Sequence, residues 1–138
     1  MIIMGIDHGD ARTGISVCDK NEVLASPVTV ISQWNQEKLT DEICKYINEY
    51  NPELIVVGLP KNMDGTLGES AVKCTEFAEL LNKKCGIECV MRDERLTTVS
   101  AHNALNLTDT RGKKRKEVID AVAATMILQE FIDSRKKG

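Results

Sequence analysis

The chain is predicted to fold as an α/β protein with a mixed five-stranded sheet and helices on both faces. Its first 31 residues read as three short strands joined by tight connections, which favours antiparallel neighbours. Helical and strand patterns alternate after them, which favours parallel strands joined by helical crossovers. With 138 residues, 42% hydrophobic and 28% charged, the chain has the size and composition of an ordinary globular protein with one core. We therefore expect one domain, residues 1–138.

The three N-terminal strands are predicted at about residues 2–7, 13–19 and 22–31. The first is an apolar run that ends in Asp7, and the second alternates apolar with polar residues. Pro27 interrupts the third run. Proline lacks the N–H donor of a ladder position, so this strand is expected at a sheet edge or at a bulge.

The rest of the chain alternates helices with strands. In order, we predict a helix at about 36–50, a strand at 54–60, a helix at 68–84, a strand at 87–91, a helix beginning near 97–98 and a final helix at about 115–135. The run at 54–60 is continuously apolar before its terminal proline, the pattern of a parallel strand covered on both faces. Together with the N-terminal strands these elements make up the five-stranded sheet.

Charge is distributed unevenly along the chain. Residues 1–110 carry 10 Lys/Arg against 17 Asp/Glu, a net charge of −7, whereas residues 111–138 carry 8 against 4, a net charge of +4. Within the basic end, the run 111–116 (Arg-Gly-Lys-Lys-Arg-Lys) is interpreted as a loop that precedes the final helix and can engage phosphates. The alternative is a solvated charge cluster at the start of that helix.

The cysteines and the N-terminus favour a cytoplasmic protein. Five cysteines are present, an odd number without a close pairing pattern, which argues against a disulfide framework. Cys85 and Cys89 are four residues apart, but no nearby histidine or cysteine completes a zinc quartet. The sequence shows neither a signal-peptide pattern nor an apolar stretch long enough to span a membrane.

Acidic residues occur at three positions that the predicted fold brings to one edge of the sheet. Asp7 ends the first strand, Asp93 or Glu94 ends the last, and Asp120 lies in an otherwise apolar stretch of the final helix. A carboxylate buried without a partner is costly, so acids in such places usually meet a cation. Oxygen ligands select hard cations such as Mg²⁺ or Mn²⁺, and a pair of such ions supports phosphodiester hydrolysis.

Each acid also has a purely structural explanation. Asp93 and Glu94 could pair with neighbouring arginines, and Asp120 could form a salt bridge with the basic run 111–116. His8 is expected to be a turn residue that lines the site rather than a metal ligand. The glycines beyond Asp7 suit a tight hairpin whose backbone can come close to a phosphate. The coincidence of three acids, rather than any one of them, indicates a catalytic site.

Four groups of residues together resemble the YqgF family. They are Gly5-Ile6-Asp7-His8-Gly9 with Arg12-Thr13-Gly14-Ile15; Val57-Gly58-Leu59-Pro60 with Met63-Asp64-Gly65-Thr66; Asp93-Glu94-Arg95-Leu96-Thr97-Thr98; and Asp120-Ala121-Val122-Ala123-Ala124 with Ile127-Leu128-Gln129. The resemblance covers essentially the whole chain in the same order.

This resemblance implies a ribonuclease H-like fold and a metal-dependent nuclease, with Asp7, Glu94 and Asp120 as the catalytic, metal-binding triad. The implied cofactor is Mg²⁺ or Mn²⁺, and the implied reaction is endo- or exonucleolytic cleavage in the 5′-end maturation of pre-16S rRNA. Nucleic-acid-binding roles are implied for the following basic residues: Arg12, Arg95, Lys113, Lys114, Arg115 and Lys116.

The chain departs from the resolvases of this fold at one position. In those enzymes an acid follows the strand that corresponds to residues 54–59, whereas here that strand ends in Gly58-Leu59-Pro60. The second acid must then come from Asp93 or Glu94. The departure weakens, without removing, the alternative function of a Holliday junction resolvase, which would require a homodimer to make two coordinated cuts.

Two further function classes remain from the residues alone. The Asp-x-Gly hairpin also occurs in actin-like ATPases and sugar kinases, but those folds place a nucleotide between two domains and this chain has length for one. A non-catalytic module on a nuclease scaffold would bind RNA without cutting it, and the intact acids argue against it. The expected partner is precursor rRNA, with branched DNA as the alternative, for a monomer or homodimer without membrane contact.

Overall fold

The sheet and its helices follow the predicted order. The computed structural model describes residues 1–9, 12–59, 69–93 and 112–137. At residues 59, 69–71, 93, 112–119, 136 and 137 it describes the backbone only. The elements are β1 (Ile3–His8), β2 (Thr13–Cys18), β3 (Ala25–Ile31), α1 (Gln36–Tyr50), β4 (Leu54–Leu59), α2 (Glu69–Cys85), β5 (Cys89–Asp93) and α3 (Gly112–Lys137).

The five strands form one mixed sheet in the order β3-β2-β1-β4-β5. β2 pairs antiparallel with both β1 and β3, whereas β4 pairs parallel with both β1 and β5. β3 is therefore an edge strand, as Pro27 predicted. Its ladder with β2 shifts register between Ile15 and Ser16, so that Ser16 pairs with Pro27. This bulge accommodates the missing N–H of the proline.

Helices α1 and α2 cover one face of the sheet with a large apolar core. α1 begins at the cap residue Asn35, whose side chain accepts a hydrogen bond from Lys38 N, and ends at Asn51 in the left-handed conformation. From α1, Leu39 and Ile43 are fully buried; from α2, Phe77 is 1% exposed. These side chains pack against the strand residues of the same face in one continuous cluster. Burial of this apolar area is the main stabilising contribution on this side.

Helix α3 covers the opposite face and approaches the sheet closely. Ala123 and Ala124 are buried at the contact, and Ile127, Leu128 and Ile132 continue the packing along the helix. Small residues at these positions let the helix backbone reach the strands. The sheet thus has helices on both faces.

The structure corrects the interpretation of the basic run. Residues 112–116 are helical, so the run is the first part of α3 rather than a loop that precedes it. Lysine and arginine are good helix formers, which explains why the helix continues through these residues. The alternative interpretation, a charge cluster at the start of the final helix, is therefore correct for the backbone of these residues.

The last strand is displaced along the chain from its predicted position. It is Cys89–Asp93 rather than 87–91, because the chain turns at Gly86 with φ of +71° and the carbonyl of Ile87 accepts a hydrogen bond from the Asn82 side chain instead of joining the sheet. The helix predicted near 97–98 lies outside the described residues. Over the ranges that the structure covers, no helix is long and apolar enough to cross a membrane.

The five thiols are all free. Burial, with smaller contributions from the nearby Cys85 and Glu88, raises the pKa of the Cys89 thiol to about 12. A thiol in that environment stays protonated at neutral pH and is a poor metal ligand.

Candidate active site at the carboxyl edge of the sheet

The parallel strands β1, β4 and β5 end at the same edge of the sheet. Ile6 of β1 pairs with Val57 of β4, and Leu59 of β4 pairs with Asp93 of β5. In sheets of this kind, ligands bind outside the carboxyl ends of the parallel strands. A ligand site is therefore expected at this edge, where the sequence also predicts the acids.

Asp7 lies at this edge on the α3 side of the sheet. It is the penultimate residue of β1, is half-buried, and pairs across the ladder with Gly14 of β2. Strand alternation places it on the same face as Ile3, which packs in the α3 cluster, and as Gly5.

Asp120 reaches the same place from helix α3. A Cβ atom built on Gly14 would lie 2.8 Å from the carbonyl carbon of Asp120 and 3.3 Å from the Cβ of Ala124. Gly14 is also the ladder partner of Asp7. The backbones of the two acids, 113 positions apart in sequence, therefore both lie beside Gly14.

The contacts that hold α3 against the sheet are made at the level of the backbone. Ser16 Oγ donates a hydrogen bond to the carbonyl oxygen of Ala124 at 2.8 Å. A Cβ atom on Gly5 would lie 2.8 Å from Leu128 Cβ and 3.0 Å from the Ala124 carbonyl oxygen. Close packing of this kind tolerates no added methyl group, so Gly5 and Gly14 fix the distance between the helix and the two strands.

Arg12 pairs with Asp120. Its Nε donates to Asp120 Oδ2 at 2.7 Å, and the two side chains are 26% and 20% exposed. The β1–β2 hairpin presents Arg12, because Gly9 N donates to the Arg12 carbonyl oxygen at 2.9 Å. The sequence offers a salt bridge between Asp120 and the basic run 111–116 as an alternative to a catalytic role, and the pair that the structure describes is with Arg12 of the hairpin.

The two glycines after Asp7 have different structural roles. Gly9 closes the hairpin, and a Cβ atom there would lie 2.6 Å from the Arg12 carbonyl oxygen. Gly14, by contrast, lies within β2 and makes room for α3. Gly14 thus serves the packing of α3 against the sheet.

His8 does not line the carboxylate site. It is the last residue of β1, is 8% exposed, and stacks on Phe77 of α2 with 4.4 Å between ring centroids. Its Nε2 lies 3.0 Å from Gln36 Oε1, a hydrogen bond whose direction depends on the tautomer. Consecutive strand residues face opposite sides, so His8 faces away from the side that Asp7 occupies.

β5 brings Arg92 to this edge. Val90 packs in the cluster under α3, and Arg92 follows it on the same face by strand alternation. Within the described residues, Arg92 Nε is buried without a hydrogen-bond partner. From the sequence, Arg92 is only a possible partner for the neighbouring acids. Its burial depends on how the strands and α3 pack at this edge, which no local pattern in the sequence shows.

Several predicted site residues lie outside what the structure describes. Glu94 and Arg95 fall in the undescribed range 94–111, and Asp93 is described by its backbone alone. Lys113, Lys114, Arg115 and Lys116 are placed in α3 by their backbone, also without side chains. The structure therefore brings together Asp7, Arg12 and Asp120 of the predicted set.

The donor atoms at this edge fit a hard cation. The two acids supply carboxylate oxygens, and the nearest histidine in sequence, His8, faces the other side of the sheet. Among the residues described, no group of three or more His, Cys, Asp or Glu side chains is arranged to hold a metal ion. The acid that the sequence predicts as the further ligand, Asp93 or Glu94, is not among the described side chains.

Comparisons with known proteins agree with this fold and identify a family. The family model RuvX, described as Holliday junction resolvase, matches residues 1–134. A protein of Thermoanaerobacter pseudethanolicus is 44% identical over 137 residues, covering 99% of each chain, and one of Clostridium novyi is 42% identical, covering 97% of this chain and 99% of the other. Both carry the provisional name of pre-16S rRNA nuclease.

Solved structures show the same architecture at low sequence identity. Thermus thermophilus RuvC in complex with a Holliday junction matches with a TM-score of 0.64 and 13% identity, covering 99% of this chain and 96% of that one. The fowlpox virus resolvase with Holliday junction DNA matches with a TM-score of 0.58 and 12% identity, over 98% and 99% of the two chains. The chain therefore has the ribonuclease H-like fold of these resolvases.

Proposed function

Because this chain belongs to the RuvX family, also called YqgF, we propose that it is a metal-dependent nuclease that acts in the 5′-end maturation of pre-16S rRNA. The observation that carries the proposal is that Asp7 and Asp120 both lie beside Gly14 at the carboxyl edge of the parallel strands. The names of the relatives support rRNA as the substrate. The proposal treats residues 1–138 as one nuclease domain.

Asp7, Asp120 and a third acid after β5 would hold Mg²⁺ or Mn²⁺. Val90 and Arg92 lie on the α3 face, and the next residue of the same parity in the sequence is Glu94. This periodicity favours Glu94 over Asp93 as that acid. Divalent cations held by carboxylates supply an activated water and stabilise the leaving oxygen of a phosphodiester.

The protein's own residues position the acids. β1 fixes Asp7 by its ladder with β2, and α3 fixes Asp120 through its contacts with Gly14 and Ser16. Arg12 balances the charge of Asp120 and presents a guanidinium group at the same edge. Arg12 and Arg92, with Arg95, would contact the phosphates on either side of the bond that is cut.

The basic start of α3 would add longer-range attraction for the substrate backbone. Lys113, Lys114, Arg115 and Lys116 precede Asp120 on the same helix. Replacing all four by alanine should weaken binding and flatten its salt dependence, because a protein that neutralises fewer phosphates releases fewer counterions. An unchanged affinity and salt slope would mean that the run is only a solvated helix end.

A Holliday junction resolvase is the second candidate function. The description of the family model favours it. Resolution would need two active sites, hence a homodimer, whereas rRNA processing makes no such demand. The absence of an acid at the end of β4, whose last two residues are Gly58 and Leu59, favours the first candidate.

A cleavage assay separates the two functions. Labelled precursor rRNA 5′ ends and four-way DNA junctions would each be incubated with the wild type and with Asp7→Asn, in Mg²⁺ and in Mn²⁺. We expect cleavage of the RNA by the wild type and none by the variant, with the fold of the variant intact by circular dichroism. Paired symmetric cuts in the junction would favour the resolvase, and unchanged turnover by Asp7→Asn would overturn the catalytic assignment.

A further inference from the structure

A groove lies on the face of the sheet opposite the acids, at the end of β1. Its volume is about 530 Å³, within the range of small-molecule sites. The lining residues that matter come from β1, the segment before α1, the start of α1, and α2: His8, Trp34, Gln36, Lys73, Glu76 and Phe77. We call it the Trp34 groove. Neither Asp7 nor Asp120 lines it.

One wall of the Trp34 groove is a fixed aromatic pair. His8 and Phe77 stack with an angle of 19° between their ring planes. The His8 ring is held at both nitrogens, by Gln36 Oε1 at 3.0 Å from Nε2 and by Cys74 Sγ at 3.6 Å from Nδ1. The pair is almost fully buried, with His8 8% and Phe77 1% exposed, so it gives the groove a fixed base but little free ring surface.

The rim of the groove carries the chain's single tryptophan. Trp34 is 79% exposed, more than the other large apolar side chains in the described residues. It immediately precedes the α1 cap residue Asn35, and its carbonyl accepts a hydrogen bond from Gln36 Nε2 at 3.3 Å. An indole exposed beside a concave apolar surface is typical of a binding site rather than of a core.

The charges of the groove suit a neutral ring better than a phosphate. Lys73 and Glu76 contribute one charge of each sign, and most of the remaining lining is apolar or aromatic. Gln36 offers an amide that can both donate and accept. A flat, uncharged group with polar edges matches this lining, whereas an isolated phosphate would meet the Glu76 carboxylate.

The groove lies one residue along β1 from the candidate active site, on the other face of the sheet. His8 follows Asp7 directly in β1, so the groove and the acids occupy the two sides of one strand end. A polynucleotide that lies across the carboxyl edge of the sheet would reach both. Its phosphates would lie on the α3 side, where Arg12 and Arg92 are, and a base would lie on the other side.

We propose that the Trp34 groove binds an unpaired nucleobase of the substrate strand, next to the phosphodiester that is cut. The base stacks on Trp34 at the rim and its edge contacts the polar side chains of the groove. This inference rests on the proposed nuclease function for the identity of the ligand. It assigns to the enzyme a substrate that is single-stranded at the cleavage site.

The emission of Trp34 tests the proposal directly, because no other tryptophan contributes. The Asp7→Asn variant, which is expected to leave strands uncut, would be titrated with a short single-stranded RNA, with an abasic strand of the same length and with the same RNA in a duplex. We expect quenching by the single strand alone. Equal quenching by the abasic strand or by the duplex would overturn base stacking.

Affinity measurements on variants supply an independent readout. Trp34→Ala should weaken binding of the single strand about tenfold by fluorescence anisotropy, the effect of losing one base–aromatic stack, and Trp34→Phe should restore most of it. Val72→Ala, which removes an exposed apolar side chain of α2 outside the groove lining, is the matched control. Equal affinities of Trp34→Ala and Val72→Ala would overturn the site.

The outcomes for this site and for the nuclease function are separable. If the wild type cuts RNA while Trp34 emission is quenched equally by the single strand and by the abasic strand, the groove assignment fails and the nuclease function is retained. If Trp34 responds to the bases while no cleavage occurs, the binding site stands and the nuclease function fails.

Discussion

The two faces of the sheet are held by different kinds of contact. On the α1/α2 face, large side chains such as Phe77, Leu39 and Ile43 interdigitate in an apolar cluster. On the α3 face, at the end near the acids, the contacts are between glycines, alanines and backbone carbonyls. The first arrangement buries a large apolar area. The second leaves no room for an added methyl group and so fixes the position of α3 relative to β1 and β2. The proposed chemistry depends on the second.

The largest stability effect is expected on the α1/α2 face. Phe77→Ala should lower the free energy of unfolding by about 3–5 kcal/mol, because it removes a fully buried ring and leaves a cavity. Denaturant unfolding measures the loss. Phe131→Ala, which truncates the chain's other phenylalanine at a half-buried position on the α3 side, is the control and should cost less. Equal losses would mean that the two faces contribute burial alike.

Gly14→Ala should separate position from burial. The added methyl group would overlap the backbone of α3 at Asp120, so the helix must shift, at a cost of about 1–3 kcal/mol. We expect cleavage to fall by more than the stability loss predicts, because Asp120 moves relative to Asp7. Unfolding and single-turnover cleavage below the melting transition would be measured together.

Gly86→Ala is the matched control for Gly14→Ala. Gly86 has a φ of +71° and no neighbour within 4 Å of a built Cβ atom, so alanine there costs about 1 kcal/mol of backbone strain far from the acids. Its cleavage rate should remain that of the wild type. If both variants cut RNA equally well, the contact between Gly14 and Asp120 does not position the site.

The smallest stability effect is expected for Arg12. Its pair with Asp120 is partly exposed, so Arg12→Ala should change the free energy of unfolding by no more than about 1 kcal/mol. RNA affinity should fall, and the slope of log affinity against log salt concentration should decrease in magnitude by about one, the value for one lost phosphate contact. Arg135→Ala breaks a pair with the same 2.7 Å Nε–carboxylate distance, to Glu22, and is the control. Equal RNA affinity of the two variants would remove Arg12 from the interface.

The sequence predicted those features that depend on local pattern. An acid inside an apolar strand and an acid on an alanine-rich helix face marked Asp7 and Asp120, and both lie at the predicted edge. Pro27 also predicted the edge strand from a local property, because a proline has no backbone N–H to donate to a ladder. The resemblance to the family, confirmed by its matching model, completed the fold.

Features that depend on distant residues were missed or misjudged. His8 was expected at the acid site, but strand alternation and the ring of Phe77, 69 positions away, place it on the other face. The Trp34 groove is lined by residues from three separate parts of the chain, so no local sequence pattern predicts it. The charge density of the basic run predicts a loop, but residues 112–116 are helical because lysine and arginine are good helix formers.

Binding of Mn²⁺ tests the central claim, that Asp7 and Asp120 act together as ligands at one site. Isothermal titration would compare the wild type with Asp7→Asn, Asp120→Asn and the control Asp133→Asn, which changes an exposed acid on the same helix as Asp120. We predict that the first two variants each weaken binding at least about tenfold while Asp133→Asn binds as the wild type does. Wild-type affinity in both Asp7→Asn and Asp120→Asn would contradict the account.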